Sequence, residues 1–385
     1  MRILFVAPRF HTNQVPLVEA LLAGGHQVQF HVERVRPSED HSLVTPRVIP
    51  GDPAVAGWRL PLARGGSEWT PDLLSYRRVL KEFAPDAVVV REPTRPLSLV
   101  AALAARSLGA HVVFYTQSPV HDQRKFVRDL LRGTLLTLFG AEWISPVQGN
   151  PDLDPVHPHY HYLPFACPLA GSGKSHWFSG DRVNLLSIGK FYPRKNHLLL
   201  LEALARLREE FNVHLTIVGE CSNEPQRQYL AQVREAVARH RLADSVDIRL
   251  NLPYRQVLQT YEEHDLFVLP SHDEPAAVSL LEAMARGLPV LCSDTNGTAC
   301  YVEVKGNGAV FTDNDAADLH GKLRQLLASR TQLQAFGRRS LELVRERHEP
   351  AIIRDRLLEV IECRRGRALQ PAPTVALLDR SPDTN

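Results

Sequence analysis

Glu274 and Glu282 stand in the stretch Ser271-His272-Asp273-Glu274-Pro275-Ala276-Ala277-Val278-Ser279-Leu280-Leu281-Glu282, and two carboxylates in one short segment invite chemistry. Pro275 suits the first position of a helix, where its missing N–H costs nothing, and Gly287 with Pro289 would end that helix before an apolar strand. The segment therefore predicts a loop carboxylate, a helix starting at Pro275, and a second carboxylate two turns in. Paired carboxylates suggest glycoside hydrolysis, where the two groups stand about 5 to 9.5 Å apart. A mostly helical spacing separates these two by roughly 10 to 12 Å along the axis, too far to share one bond. They are better placed to hold two ends of one elongated ligand. Between them the first-turn amides of Ala276, Ala277, Val278 and Ser279 offer unpaired N–H groups that suit a phosphate. Hydroxyls at both ends and phosphate in the middle describe a nucleotide sugar.

The pattern Glu-x7-Glu, after Pro270-Ser271 and before Ala283-Met284-Ala285-Arg286-Gly287-Leu288-Pro289-Val290, resembles the retaining glycosyltransferases of family 4. Other segments follow in that family's order. Ser187-Ile188-Gly189-Lys190-Phe191-Tyr192-Pro193-Arg194-Lys195-Asn196 is similar to its Gly-Arg-x4-Lys-Gly segment, with Lys190 at the Arg position and Asn196 at the second Gly. Ile217-Val218-Gly219, Asp265 to Ser271, and Gly306-Asn307-Gly308 continue the series, so the resemblance is strong over 183–330 and weak before it. It implies the GT-B fold, two doubly wound Rossmann-like α/β domains facing each other across a cleft, and transfer of a sugar from a nucleotide diphosphate sugar.

Composition fits that expectation. A chain of 385 residues has room for two domains with their own cores. Lysine and arginine total 45 against 43 acids, which gives no electrostatic case for a nucleic-acid partner. Five cysteines (Cys167, Cys221, Cys292, Cys300, Cys363) are scattered without C-x2-C spacing, favouring a reducing compartment and no zinc site. With no apolar run of membrane-spanning length and no leader ahead of the strand at Arg2, the expected location is cytoplasmic, or peripheral at the inner face of a membrane.

Short apolar runs alternate with helical patterns, the mark of parallel sheets covered on both faces. In the first half they run Ile3 to Ala7, Val28 to Val32, Ala87 to Val90, His111 to Tyr115 and Trp143 to Ser145. In the second they run Asn184 to Ile188, Val213 to Val218, Val246 to Arg249, Leu266 to Leu269, Pro289 to Cys292 and Ala309 to Phe311. The expected organisation is an N-terminal acceptor domain over 1–165, a Pro/Gly/Ser-rich linker over 166–182 and a donor domain over 183–348. A helix over 349–363 crosses back to the first domain, and a disordered tail occupies 364–385. The proline- and glycine-rich stretch 37–71 suggests a flap on the acceptor side. Gly171-Ser172-Gly173-Lys174-Ser175 is not a P-loop, because Pro168 holds the place of the first glycine and no strand leads into it.

By resemblance, Glu274 holds the donor sugar, Glu282 the ribose, and Lys190 and Lys195 stabilise the departing diphosphate, with Gly189, Arg194 and Gly219 beside it. With two lysines available for the diphosphate, neither a metal nor a cofactor is required. Where many family members place a histidine near the sugar, this chain offers Gln117 and only later His121. His11 and Asn13 follow the first strand where glycines are usual, which points them to the acceptor: a glycan, a lipid-linked sugar or a small molecule. Residues 124–139 combine a basic and an apolar face, readable as a peripheral membrane contact or as an ordinary core helix. Singly, each residue has a plainer reading, Glu282 as a solvated helix residue and Lys195 as a helix start. A sugar-nucleotide epimerase leaves the Glu-x7-Glu and lysine pair unexplained, and a catalytically silent sugar-binding or scaffold protein would bind donor without turnover.

Overall fold

The computed structural model describes residues 1–35, 39–51, 70–123, 126–171, 174 and 176–363. Among the described residues the chain divides into two compact units, Met1–Ala166 with 348–363, and Cys167–Arg347. The flap expected over 37–71 falls largely outside the described residues, as does the whole tail from 364.

The first unit contains β1 (Arg2–Ala7), α1 (Val15–Ala23), β2 (Gln27–Val32), β3 (Arg47–Val48), α2 (Leu73–Phe83), β4 (Ala87–Arg91) and α3 (Pro96–Ser107). It continues with β5 (His111–Tyr115), α4 (Phe126–Phe139), β6 (Glu142–Ser145) and β7 (Tyr160–Tyr162). The second begins with β8 (Val183–Ile188), α5 (His197–Leu207), β9 (Val213–Gly219), α6 (Glu224–Arg239), β10 (Val246–Leu250) and α7 (Tyr254–Glu262). After these come β11 (Leu266–Leu269), α8 (Val278–Met284), β12 (Val290–Ser293), β13 (Gly308–Phe311), α9 (Ala316–Leu327) and α10 (Arg330–Arg347). The last helix, α11 (Pro350–Cys363), belongs to the first unit.

Both sheets are parallel, in the orders β3-β2-β1-β4-β5-β6-β7 and β10-β9-β8-β11-β12-β13. In the first unit alternate residues feed opposite cores. Leu4, Val6, Val88, Val90 and Phe114 meet α2, α3 and α4, whereas Ile3, Phe5, Val89 and Val113 meet α1 and α11 through Val18, Leu21, Ile353 and Leu357. This two-sided burial is why the strands read as continuous apolar runs. In the second unit Leu185, Leu215, Ile217 and Val268 pack on Leu200, Leu204, Val233 and Leu323. Residues 174–182 are tied to the second unit by Asp265, whose carboxylate accepts from the amides of Phe178 and Asn184, each at 2.9 Å.

Two strands are not evident in the sequence pattern. β3 is two exposed residues long, and β7 is Tyr160-His161-Tyr162, preceded by His159, with polar residues where an apolar run is expected. The reason β7 pairs lies on its neighbour. Glu142 of β6 is 2 % exposed and binds His161 Nε2 at 2.6 Å and His159 Nδ1 at 3.1 Å. Within 124–139, read as a peripheral membrane contact or as an ordinary core helix, Arg132 is buried over the rings of Trp143 and Tyr160. Arg124 and Lys125 lie outside the described residues.

Burial alone would raise the Glu142 pKa, but its bonds to His161 and His159 outweigh it and leave the carboxyl below its ordinary 4.5. A depressed folded-state pKa adds stability that is present above the unfolded value and lost as pH falls through the folded one. Thermal melts followed by Trp143 fluorescence are expected to lose stability from about pH 4.5 downward. The Glu142→Gln variant should be less stable at neutral pH and flatter in that acid window; an unchanged acid slope would contradict the assignment.

Candidate functional site

The second unit starts in the middle of its sheet, winds out through β9 and β10, then returns to β11 on the other side of β8. The connections after β8 and β11 therefore diverge, and the crevice at their carboxyl ends is where such sheets bind ligands. Both connections carry the predicted residues. After β8 the chain turns tightly, with the Tyr192 amide bonded to the Lys190 carbonyl at 2.8 Å and the Asn196 amide to that of Pro193 at 2.9 Å. Asn196 has φ of 54°, a left-handed conformation that glycine or asparagine tolerates, which explains the residue at this point of the pattern.

After β11, the His272 amide bonds the Arg194 carbonyl at 2.8 Å, joining the two loops directly. Across that joint Lys195 Nζ donates to Glu274 Oε2 at 2.7 Å, and Arg194 lies 3.6 Å from the same oxygen. Glu274 is 7 % exposed, so this is a nearly desolvated carboxylate beside two cations. A charge-assisted bond of this kind is worth about 1.5 to 3 kcal/mol, and removing either partner strands the other. Behind the lysine, His197 is fully buried, and burial followed by the charge of Lys195 lowers its pKa to about 3. It stays neutral and leaves Lys195 the local cation. On the other side His272 is bonded to Asp313 and lies 3.2 Å from Asp273, and the Asp313 bond raises its pKa above the ordinary 6.5.

The expected helix start at Pro275 is corrected. α8 begins at Val278, with Ala277 extended at φ −90°, ψ 120° as its cap, so Ala276 precedes the helix. Two long-range bonds hold the preceding loop out of the helix: the Glu274 carbonyl accepts from the Gly297 amide at 2.8 Å, and the Asp273 amide donates to Thr295 Oγ1 at 3.1 Å. The residue before a proline also avoids the helical region. The first-turn amides are consequently those of Val278, Ser279 and Leu280, and Glu282 sits one turn in rather than two. The C-terminal end is as expected, with Gly287 at φ 77° bonded to Met284 and Leu288 bonded back to Ala283.

Lys190 and Glu282 lie apart from the Lys195–Glu274 pair. Lys190 Nζ pairs with Glu220 at 2.8 Å, just after β9. Glu282 accepts from Tyr254 at 2.7 Å and Tyr261 at 2.9 Å, two tyrosines the sequence reading did not single out. Burial, followed by the Glu282 charge, raises both phenol pKa values, so both remain donors. Gly219 is needed for close approach. A Cβ there would stand 2.3 Å from the Gly189 carbonyl oxygen and 2.7 Å from the Phe191 ring. At Gly189 it would stand 2.9 Å from the Lys195 side chain.

The acceptor-side candidates all lie in the first unit. Asn13 lines a small cavity with Phe5, Tyr115 and Leu357. Gln117 hydrogen-bonds to Tyr115. His121 Nδ1 is bonded to the Leu153 carbonyl at 2.7 Å, a structural use of that nitrogen, and the His11 carbonyl accepts from the Gln14 amide at 2.9 Å. Among the described residues no cluster of three or more histidine, cysteine or acidic side chains is arranged to hold a metal, and no helix is long and apolar enough to cross a membrane.

Residues 174–342 match the family model described as glycosyl transferases group 1. A D-inositol 3-phosphate glycosyltransferase of Geodermatophilus obscurus is 33% identical over 169 residues, 41% of this chain and 36% of that protein. An α-1,2-mannosyltransferase of Caenorhabditis elegans, acting with GDP-Man on Man(3)GlcNAc(2)-PP-Dol, is 30% identical over 120 residues, 30% of this chain and 26% of that one. The chain thus spans only about a quarter to a third of the length of these curated relatives. In three dimensions, Anabaena HepE solved with UDP aligns with TM-score 0.72 at 15% identity, covering 94% of this chain and 100% of that one. A Rickettsia africae glycosyltransferase aligns with TM-score 0.72 at 14% identity, covering 95% and 99%. At such identity the likeness is one of fold, and the fold class is GT-B.

Gly219→Ala is expected to push the loops at 189–191 and 219–220 apart and cost about 1 to 3 kcal/mol. Chemical denaturation of the variant checks this; a loss below about 0.5 kcal/mol would mean the loops accommodate a methyl group freely.

Proposed function

We propose that this protein is a retaining glycosyltransferase of family 4, moving a sugar from a nucleotide diphosphate sugar to a hydroxyl of a glycan, lipid-linked or small-molecule acceptor without a metal. The observation that carries the reading is the Lys195–Glu274 bond at 2.7 Å, with Arg194 at 3.6 Å, at the switch point of a unit that matches a glycosyltransferase family model. A fixed cation beside a buried carboxylate suits a ligand that is anionic at one atom and hydroxylated a few ångströms away.

In this reading Glu274 accepts hydroxyl groups of the donor sugar and Lys195 and Arg194 meet the diphosphate, whose negative charge grows as the sugar–oxygen bond breaks. Preorganised cations at the developing charge need no reorganisation during the reaction, and this is usually the largest single contribution to catalysis. The first-turn amides of Val278 and Ser279 add donors, Lys190 with Gly189 and Gly219 borders the same strand ends, and Glu282, held by Tyr254 and Tyr261, takes the ribose hydroxyls. The acceptor oxygen forms its bond to the anomeric carbon on the face the diphosphate leaves, and the leaving oxygen takes the acceptor's proton. Retention then needs no covalent sugar–enzyme bond. The relative named for GDP-Man and the fold neighbour solved with UDP support a nucleoside diphosphate donor. The four described cysteines form no disulfide among the described residues, compatible with work in the cytosol.

A thermal-shift panel of nucleotide sugars should single out one donor, and that donor should be hydrolysed slowly when no acceptor is present. Glu274→Ala should lower turnover by about 10² to 10³ or more while circular dichroism shows the fold intact. Wild-type turnover in that variant would refute the role of Glu274.

A further inference from the structure

At the carboxyl edge of the first unit's sheet, Arg91, Tyr115 and Ile144 are partners in one row across β4, β5 and β6. Partners in parallel register project to one face, here the face covered by α1 and α11. Arg91 is 8 % exposed, with its guanidinium 4.9 Å from the Tyr115 ring centre. Its Nη1 is buried and has no hydrogen-bond partner among the described residues, and Arg91 forms no ion pair among them. The acids close to it in the fold are already taken: Glu92 and Glu33 both bind Arg95, at 2.5 Å and 3.1 Å.

A guanidinium cannot shed its proton to escape burial, so a buried one without a carboxylate is held at a cost unless an anion arrives. Arginine's planar fork matches the oxygens of phosphate and carboxylate. A small, mostly apolar cavity lies on the same face of the sheet, beside Arg91 rather than lined by it. Val89 and Tyr115, which flank Arg91 on its face, line the cavity shared with Asn13 and Gln14. Gln14 Oε1 is itself buried and unpartnered among the described residues, and Gln117 and Arg91 are the hydrogen-bond partners of the Tyr115 hydroxyl.

We propose that Arg91, with Tyr115, Gln117, Asn13 and Gln14, forms a subsite for an anionic oxygen group, a phosphate or a carboxylate, carried by the acceptor. Only the word acceptor rests on the transferase reading; the anion site stands on the geometry of the first unit alone. Cation and fork together select against neutral acceptors, because a neutral group in their place leaves the buried charge unmatched.

The test uses the full-length protein saturated with nucleoside diphosphate, which fills the donor side and reports separately on the second unit. Melting temperature and calorimetric titration are followed with inorganic phosphate or with acetate, against chloride at equal ionic strength. Phosphate, acetate or both should stabilise the wild type, and which one does so identifies the group. Arg91→Met should abolish that shift, leave the nucleotide affinity within twofold, and melt no lower than wild type without anion. Tyr115→Phe should weaken anion binding severalfold, and Arg91→Lys should retain part of it. An anion response unchanged in Arg91→Met, or none in the wild type, would overturn the proposal. So would a large destabilisation of Arg91→Met without any anion effect, which would make Arg91 a structural residue. Absence of nucleotide binding, by contrast, would count against the transferase reading and leave the Arg91 comparison readable.

Discussion

A carboxylate that is 7 % exposed has to be matched by positive charge, and Glu274 is matched by a lysine 79 residues away in sequence. That requirement organises the second unit. The lysine arrives from the loop after β8 and the glutamate from the loop after β11, which are neighbouring strands because the sheet reverses its winding there. The tight turn through Asn196, the backbone bond from His272 to Arg194, and the close contact of Gly219 with Gly189 all bring these loops to one place. Take the pair apart and the geometry has no evident purpose, since an apolar pair of similar volume would pack as well or better in a core of this kind.

Each unit shows the same logic at its own strand ends. In the second, a buried acid and its cations are balanced against each other. In the first, at the edge formed by β4 and β5, a buried arginine leans on an aromatic ring and forms no ion pair among the described residues, the nearby Glu92 and Glu33 being bound to Arg95. An imbalance of this sort is tolerated where function needs it, and its sign indicates the ligand's charge.

The strands were legible from sequence to within a residue or two because parallel sheets buried on both faces leave unbroken apolar runs, as in Ala87 to Val90 or Leu266 to Leu269. β7 was not, because its histidines are explained only by Glu142 on the adjacent strand. The start of α8 was misread for a related reason: Pro275 is a good first helical residue locally, but bonds to Thr295 and Gly297 hold the preceding loop out of the helix from a distance. Lys195 and Glu274 could be named from motif order, yet their contact could not, since the chain between them makes three crossovers, through β9 and β10 to β11. Arg91, just past the apolar run Ala87 to Val90, and Tyr254 and Tyr261 of α7 carry no motif that singles them out in the sequence. No periodicity reveals which partner a side chain meets across the sheet.

The most direct test of the Lys195–Glu274 centre is calorimetric binding of a nucleoside diphosphate, with no sugar attached, to wild type, Lys195→Met and Glu274→Gln. If Lys195 meets the diphosphate and Glu274 the sugar, Lys195→Met should weaken binding by about tenfold or more, equivalent to roughly 1.4 kcal/mol, whereas Glu274→Gln, which releases the lysine, should bind as well as wild type or more tightly. Equal losses in both variants would show that the pair merely holds the loops together, and unchanged affinity in Lys195→Met would place the diphosphate elsewhere.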